Sequence, residues 1–452
     1  MRLFDLQNVI AYRKSAFWVV TGFVFFLIAC YPGFMSVDSL EQYRQAQVLR
    51  FADGHPPVMA WLWSKLDLIW RGPQSLLVLH LGMLWIGLYL WRRNAGKHKY
   101  AKWFVLLGFM PWVANFEGVL WKDVGMAYSL LLGLGLLASA KSSRLQIAAA
   151  MPFLLYAFMV RNNAPAALVP IMWYASVMAF PELVGRIRVA MTAGILLVMF
   201  AFLNFFNYHF LDAEKNHMAS YMMVDDLVHF SVKANRSLLP KVDDATVVAC
   251  SQETIGDTRL VGRLFCLGTK PTYQKIAPIP YDELKEAWGA AIKAEPLEYA
   301  RFRLDAFLYL LRDPGKGPYI HTFFGISPND MGLSQENSPA TVVLNGYINA
   351  AVHLAPFLFK PYWWFMLALL SLGMTLLLRG NRESLVLIRV LLTSALFYML
   401  SYLPVTPMAD LRYVYWSVLA ISLTAITYLT SDLVLDVSRM RMKLTIWKHQ
   451  RS

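Results

Sequence analysis

Charged residues and recognisable motifs are both scarce in this chain of 452 residues. Charged side chains make up 16% of it, whereas 57% is hydrophobic and the mean hydropathy is +0.43. So much apolar surface excludes an ordinary soluble protein and predicts an integral membrane protein. The sequence has no internal repeat, no glycine-rich nucleotide-binding loop, no His-Glu-x-x-His and no Asp-x-Asp. It therefore requires no metal, and we expect no cofactor.

Cysteine is also rare, with three residues in the chain. We expect Cys30 at a membrane boundary, while Cys250 and Cys266 share one long polar segment. If that segment faces an oxidising compartment, the latter two could pair and close a loop of about 15 residues, typically worth ~3 kcal/mol. The sequence alone leaves this bond open.

Basic residues outnumber acidic ones, and the net charge is +13. Such a charge could indicate nucleic-acid binding, but the Lys and Arg residues are dispersed and stand beside hydrophobic segments. That pattern is typical of loops anchored on the cytoplasmic side of a membrane. We therefore predict membrane lipids and no nucleic acid as partners.

Apolar runs predict an all-α polytopic membrane protein with about ten transmembrane helices. We interpret the first run as a retained helix, because no Ala-x-Ala-like cleavage site follows it. Lys and Arg concentrate in the segments that the predicted spans place on the same side of the membrane as the N-terminus. This excess is typical of the cytoplasmic side, so it predicts cytoplasmic termini and, for a bacterium, a protein of the inner membrane. The predicted spans are 16–31, 75–91, 103–114, 123–140, 146–160, 164–179, 189–207, 356–378, 387–404 and 413–431.

Three regions follow from this topology. Residues 1–207 form an N-terminal membrane module whose first outer loop is 32–74. Residues 208–355 form a small, mainly helical periplasmic domain, with a helical pattern from Tyr281 to Leu311. Residues 356–452 hold the last membrane helices and a basic cytoplasmic tail.

The same topology puts most of the unusual polar residues on the outer side. Ionisable groups at a membrane boundary are costly unless they are solvated or paired, so their convergence predicts a shared cavity. The outer residues are Asp38, Gln42, Tyr43, His55, Asn115, Glu117, Lys122, Asp123, Arg161, Asn162, Asn163, Asp410, Arg412 and Tyr413.

Each of these residues also has a structural explanation. Asp38 could cap a helix over 39–49, and Lys122 could extend from a helix end to the lipid headgroups. Arg161 and Arg412 could pair with lipid phosphate or with Asp410. Four tryptophans are typical of an interfacial aromatic belt, namely Trp61, Trp63, Trp112 and Trp121. The coincidence of one acid, a histidine and three cations on one face nevertheless favours a functional site.

Such a set suits the transfer of a group from an anionic lipid carrier. Lys122, Arg161 and Arg412 would bind a lipid-linked phosphate and stabilise it as it leaves. Asp38 could accept a proton from an attacking hydroxyl, and we place His55 with it in the catalytic group. The candidate substrate-binding residues are Gln42, Tyr43, Asp123, Asn162, Asn163, Asp410 and Tyr413.

At these residues the chain resembles the GT-C superfamily of polytopic glycosyltransferases. The resemblance rests on Pro-Gly-x-x-x-x-Asp-Ser ending at Ser39, on Gly54-His55-Pro56-Pro57, on Arg161-Asn162-Asn163 and on Asp410-Leu411-Arg412-Tyr413. It implies that Asp38 is the catalytic base and that the donor is a polyprenyl-phosphate sugar reached from the outer leaflet.

The chain departs from two branches of that superfamily. It lacks the paired acids of protein O-mannosyltransferases and the Trp-Trp-Asp motif of oligosaccharyltransferases. We therefore predict transfer of a sugar to the hydroxyl of a cell-surface glycan or lipid. Two alternatives stay open: an O-antigen polymerase or ligase that uses a diphosphate-linked donor, and a lipid or solute transporter.

Overall fold

The computed structural model describes residues 3–139, 143–247, 279–312 and 320–436, with side chains from residue 13 onward. Cys30 is buried at the end of the first helix. The predicted pair Cys250 and Cys266 lies outside the described residues.

Helices dominate this part of the chain, which agrees with the predicted all-α class. One short antiparallel pair joins β1 (Leu378–Arg379) to β2 (Val434–Leu435), with Leu378 opposite Leu435. The α-helices, numbered α1 to α17 in chain order, are Leu3–Cys30, Val37–Val48, Val58–Leu66, Gln74–Asn94, Trp103–Leu106, Pro111–Ala114, Lys122–Ser139, Arg144–Val160, Ala164–Ala179, Gly185–Phe205, Ala219–Ala234, Tyr281–Ala294, Pro296–Leu311, Pro339–Leu354, Pro361–Met374, Arg382–Leu400 and Tyr415–Leu429.

Four helical segments in the described residues are long and apolar enough to cross a membrane. They are Arg13–Cys30, Gln74–Asn94, Gly185–Phe210 and Arg382–Leu400. Three shorter apolar helices, α8, α9 and α15, accompany them. These segments indicate a membrane protein, while a total of ten spans stays a prediction.

The predicted span 103–114 is not one helix. It consists of α5, a 3-10 turn over Leu107–Phe109 and α6. Met110 is extended at ψ 138°, because the ring of Pro111 disfavours helical geometry in the residue before it. A proline has the same effect at the start of the predicted span 356–378, where a 3-10 turn precedes α15 and the chain then leaves the helix for β1.

Helix α7 is the centre of the membrane part. It packs against α4, α8 and α17, and nearly all its residues are buried. Gly125 permits one close approach, since a Cβ at this position would lie 2.7 Å from His80 Nε2 and 3.2 Å from the Tyr156 hydroxyl. The helix therefore holds its first residues, Lys122 and Asp123, in a fixed position at one end of the bundle.

The region predicted to be periplasmic, 208–355, has a small core of its own between α11 and α12. The predicted helical pattern over Tyr281–Leu311 is confirmed in type, but Glu295 and Pro296 divide it into α12 and α13. A buried ion pair between Asp226 and Arg303 joins α11 to α13, and Trp288 Nε1 donates to Asp226 Oδ2 at 2.7 Å.

Candidate functional site

The segment that follows α1 is held on one side by the chain entering α7. Phe34 N donates to Gly118 O at 2.7 Å, and Leu120 N donates to Phe34 O at 3.0 Å. Ser39 Oγ, in the first turn of α2, donates to Leu120 O at 2.9 Å. These bonds fix the start of α2 beside Trp121 and Lys122.

The other side of the same segment is held by the chain that follows residue 320. Met35 N donates to Gly325 O at 2.9 Å, and Ser327 N donates to Met35 O at 2.8 Å. The ring of Phe323 lies 6.0 Å from that of Trp121. The 323–327 segment thus supplies one wall around the first residues of α2.

Asp38 is not the cap of α2. The cap position belongs to Ser36, and Asp38 is the second residue of the helix, with no capping hydrogen bond from its side chain. Its carboxylate instead faces the 401–414 loop, where Arg412 Nη1 donates to Asp38 Oδ2 at 2.8 Å. The capping interpretation is therefore wrong.

Arg412 joins two carboxylates and an aromatic ring. Besides Asp38, its Nε lies 3.0 Å from Asp410 Oδ2, and its guanidinium stands 4.4 Å from the centre of the Trp121 ring. The Trp121 indole donates to Ser36 Oγ at 2.7 Å. Trp121 is therefore buried under the site and does not belong to a lipid-facing aromatic belt.

Lys122 and His55 form a second connection to Asp38. Lys122 Nζ lies 2.6 Å from His55 Nδ1, and His55 Nε2 lies 3.8 Å from Asp38 Oδ1. An ammonium group only donates, so Nδ1 accepts and a neutral imidazole carries its proton on Nε2, on the side of Asp38. Lys122 thus bonds to protein, not to lipid headgroups as the snorkelling interpretation holds.

Arg161 lies deeper, at the end of α8. Its Nε is 3.1 Å from Asp123 Oδ1, and its Nη2 donates to the Tyr402 hydroxyl at 3.0 Å. The guanidinium stands 5.0 Å from the ring centre of Tyr413. The side chains of Arg161 and Asp123 are both nearly buried, and each charge has the oppositely charged partner that a buried charge requires.

The charges of these groups follow from their surroundings. Burial alone would raise the pKa of Asp38, but the Arg412 guanidinium outweighs it and holds that pKa well below its usual range. Burial lowers the pKa of His55 to about 3, with the Lys122 ammonium adding to the effect. Burial also lowers the pKa of Lys122 to about 7 and raises that of Asp410 to about 6. At neutral pH Asp38 is ionised and His55 is neutral.

Seven predicted residues therefore lie together in one polar cluster. We use this name for Asp38, His55, Lys122, Asp123, Arg161, Asp410 and Arg412. Tyr413 contributes its ring to the wall of the cluster. The structure thus brings seven of the fourteen predicted residues together, while the topology and the chemical roles stay predictions.

Three other predicted residues, Tyr43, Gln42 and Asn163, form hydrogen bonds with groups other than the charged side chains of the polar cluster. The Tyr43 hydroxyl donates to Asp67 Oδ1 at 3.1 Å, and its ring packs on Trp63, so it belongs to the core of the first outer loop. Gln42 Nε2 bonds to the Asp38 backbone carbonyl. Asn163 Nδ2 donates to Ser401 Oγ at 3.0 Å and anchors the 401–414 loop.

Three more predicted residues are not members of the polar cluster. Asn162 is exposed beside Asn163. Asn115 Nδ2 donates to the His321 carbonyl at 2.5 Å, which ties the 320–327 segment to the membrane part. Glu117 is fully buried and accepts a hydrogen bond from Trp85 Nε1 at 3.1 Å. Burial raises the pKa of Glu117, and it does not reach the cluster.

Sequence reasoning missed Trp121 and Tyr402. The aromatic-belt interpretation of Trp121 is wrong, and the position of this residue directly before Lys122 is the signal in the sequence for a role at the site. Tyr402 follows Tyr398 by one helical turn, and their hydroxyls are 3.1 Å apart. An apolar stretch with two hydroxyls on one face was the available signal.

In the described residues, no group of three His, Cys, Asp or Glu side chains is placed to hold a metal ion. No known protein family, curated protein or solved structure matches the chain.

Proposed function

We propose that this protein is a membrane glycosyltransferase of the GT-C type, in the inner membrane of a bacterium with both termini cytoplasmic. It transfers one sugar from a polyprenyl-phosphate donor to a hydroxyl of a cell-surface glycan or lipid on the periplasmic face. The observation that supports this most is the polar cluster at one end of a helical bundle, where the partly exposed Asp38 carboxylate is paired with Arg412 and is connected through His55 to Lys122.

Asp38 is the member best placed to meet an acceptor. Its side chain is 34% exposed, whereas those of Arg412, Asp410 and Asp123 are 13% exposed or less. Arg412 keeps the carboxylate ionised and orients it. An acceptor hydroxyl within hydrogen-bond reach would transfer its proton to Asp38 as its oxygen attacks the sugar carbon.

Lys122 is the best candidate for the donor phosphate. In the described part of the chain, Arg161 and Arg412 each lie against a carboxylate, while Lys122 has none within ion-pair distance and bonds to neutral His55. A phosphate would therefore supply the negative charge that Lys122 lacks.

In the transfer step, a new bond forms between the acceptor oxygen and the anomeric carbon of the sugar, and the bond from that carbon to the phosphate oxygen breaks. The polyprenyl phosphate leaves with the electron pair, stabilised by Lys122, and the acceptor proton ends on Asp38. Attack opposite to the leaving group inverts the configuration of the sugar.

The proposal is tested with the purified protein in membranes and a panel of radiolabelled polyprenyl-linked sugars, each as monophosphate and as diphosphate. Transfer from a monophosphate donor is the expected result. Transfer from diphosphate donors alone would contradict it and favour the polymerase or ligase. Movement of labelled lipid or solute across the membrane without transfer would favour the transporter.

A further inference from the structure

A large cavity lies at the opposite end of the bundle from the polar cluster. Its volume is about 1040 Å³, and its walls come from α4, α7, α9, α16 and α17, among others. Along α7, Lys122 stands at the cluster and Ala138 at the cavity, a distance of about 24 Å at 1.5 Å per residue. That is close to the ~30 Å of a bilayer's hydrocarbon core, so the two sites face opposite leaflets.

The cavity contains charges of both signs. Arg188 and Arg382 line it together with Glu383 and Asp432. Among the described residues, none of these four lies within ion-pair distance of an opposite charge. The Nη2 of Arg188 donates to the Phe180 carbonyl at 2.9 Å, while its buried Nε has no partner. Two cationic and two anionic groups are thus available to a ligand.

An apolar groove continues from this cavity along the outside of the bundle. Its volume is about 480 Å³, and it shares Trp173 and Val386 with the cavity. Along α16 the groove extends from Val386 to Phe397, a distance of about 16 Å at 1.5 Å per residue. This is about half of the ~30 Å hydrocarbon core, which is the depth of a single leaflet.

We propose that the cavity and groove bind one phospholipid whose headgroup carries both a phosphate and an ammonium. The phosphate lies against Arg188 and Arg382, the ammonium lies against Glu383 and Asp432, and an acyl chain occupies the groove. A purely anionic headgroup fits less well, because it would approach two carboxylates that it cannot neutralise. This site is separate from the transfer reaction and does not depend on it.

Binding is measured by native mass spectrometry of the full chain, released from detergent with defined amounts of phosphatidylethanolamine or phosphatidylglycerol. We expect one bound phosphatidylethanolamine and weaker phosphatidylglycerol binding. Arg382→Gln removes one charge-assisted bond and should weaken binding of both lipids about tenfold. Arg186→Gln, on exposed surface outside the cavity, is the matched control and should bind as the unmodified protein does.

Two further variants test the chain and the headgroup separately. Ala193→Trp fills the groove and should abolish retention of either lipid, whereas Ala190→Trp on the same helix, outside the groove, should not. Glu383→Gln should reduce the preference for phosphatidylethanolamine, because it weakens binding of the ammonium and relieves the repulsion that phosphatidylglycerol meets. Equal binding of the two lipids by the unmodified protein, or equal retention by both tryptophan variants, would overturn the proposal.

Discussion

Replacement of Arg412 by glutamine should destabilise the protein more than any surface charge change on the same side. Arg412 is the partner of Asp410, whose side chain is 6% exposed, and of Asp38, which is 34% exposed. Removing one member of a buried pair typically costs ~3–5 kcal/mol, because a charge is left without a partner. Asp38 adds little to this cost, because solvent screens its charge.

The effect should also depend on pH. Burial raises the pKa of Asp410 to about 6 even with Arg412 present, and it should rise further in the variant. A carboxyl whose pKa is higher in the folded state than in the unfolded state binds its proton more tightly when folded, so folding stability falls as pH rises. Arg412→Gln should therefore lose more stability at pH 8 than at pH 5.

The assay is the midpoint of thermal unfolding in detergent, read by tryptophan fluorescence at both pH values. Arg44→Gln is the control, because its pairs with Asp330 and Glu41 are exposed and screened by solvent. The double variant Arg412→Gln/Asp410→Asn removes both charges and should recover most of the loss. A double variant less stable than Arg412→Gln alone would show that the unpaired Asp410 carboxylate is not the cause of the loss.

Three other predictions use the same structure. Lys122 loses its proton as pH rises through about 7, so kcat/KM for transfer should fall above that pH. The side chain of the Lys122→Arg variant stays charged, so this fall should disappear. The same fall of kcat/KM at alkaline pH in the variant would contradict the role of Lys122. Gly125→Val should lower the thermal midpoint, with a cost of ~1–3 kcal/mol or more, because its side chain would meet His80 and Tyr156; Gly194→Val, which meets nothing within 4 Å, is the control. Tyr402→Phe removes the hydroxyl that accepts a hydrogen bond from Arg161 and bonds to the Tyr398 hydroxyl, so it should lower the thermal midpoint by an amount equivalent to about 1–3 kcal/mol. An unchanged midpoint would refute the contribution of this hydroxyl.

Hydropathy and basic residues predict that the members of the polar cluster lie on one side of the membrane. Asp38, Lys122, Arg161 and Arg412 come from four distant parts of the chain, and the structure brings them together at one end of the bundle. Consecutive membrane-spanning helices alternate in direction, so a count of spans indicates which loops share a side without any side-chain detail. The number of spans and the side of the membrane stay predictions.

The same reasoning could not assign partners within the cluster. The sequence predicts that Arg412 binds a phosphate, whereas the structure pairs it with Asp38 and Asp410. It also placed Tyr43 at the substrate, although this side chain packs in the loop core. These outcomes depend on rotamers and on contacts between distant segments, such as the hydrogen bond that Ser327 N donates to Met35 O, which leave no periodic pattern in the sequence.

The most direct test of the proposed function compares three purified proteins: unmodified, Asp38→Asn and Glu41→Gln. Glu41 lies on the same helix, exposed and outside the cluster, so it controls for a carboxyl-to-amide change. Transfer of radiolabelled sugar from a polyprenyl-phosphate donor is measured in each. Asp38→Asn should lose about 10²-fold or more of the rate, while Glu41→Gln should retain it. Full transfer by Asp38→Asn would contradict the assignment of Asp38 as the base.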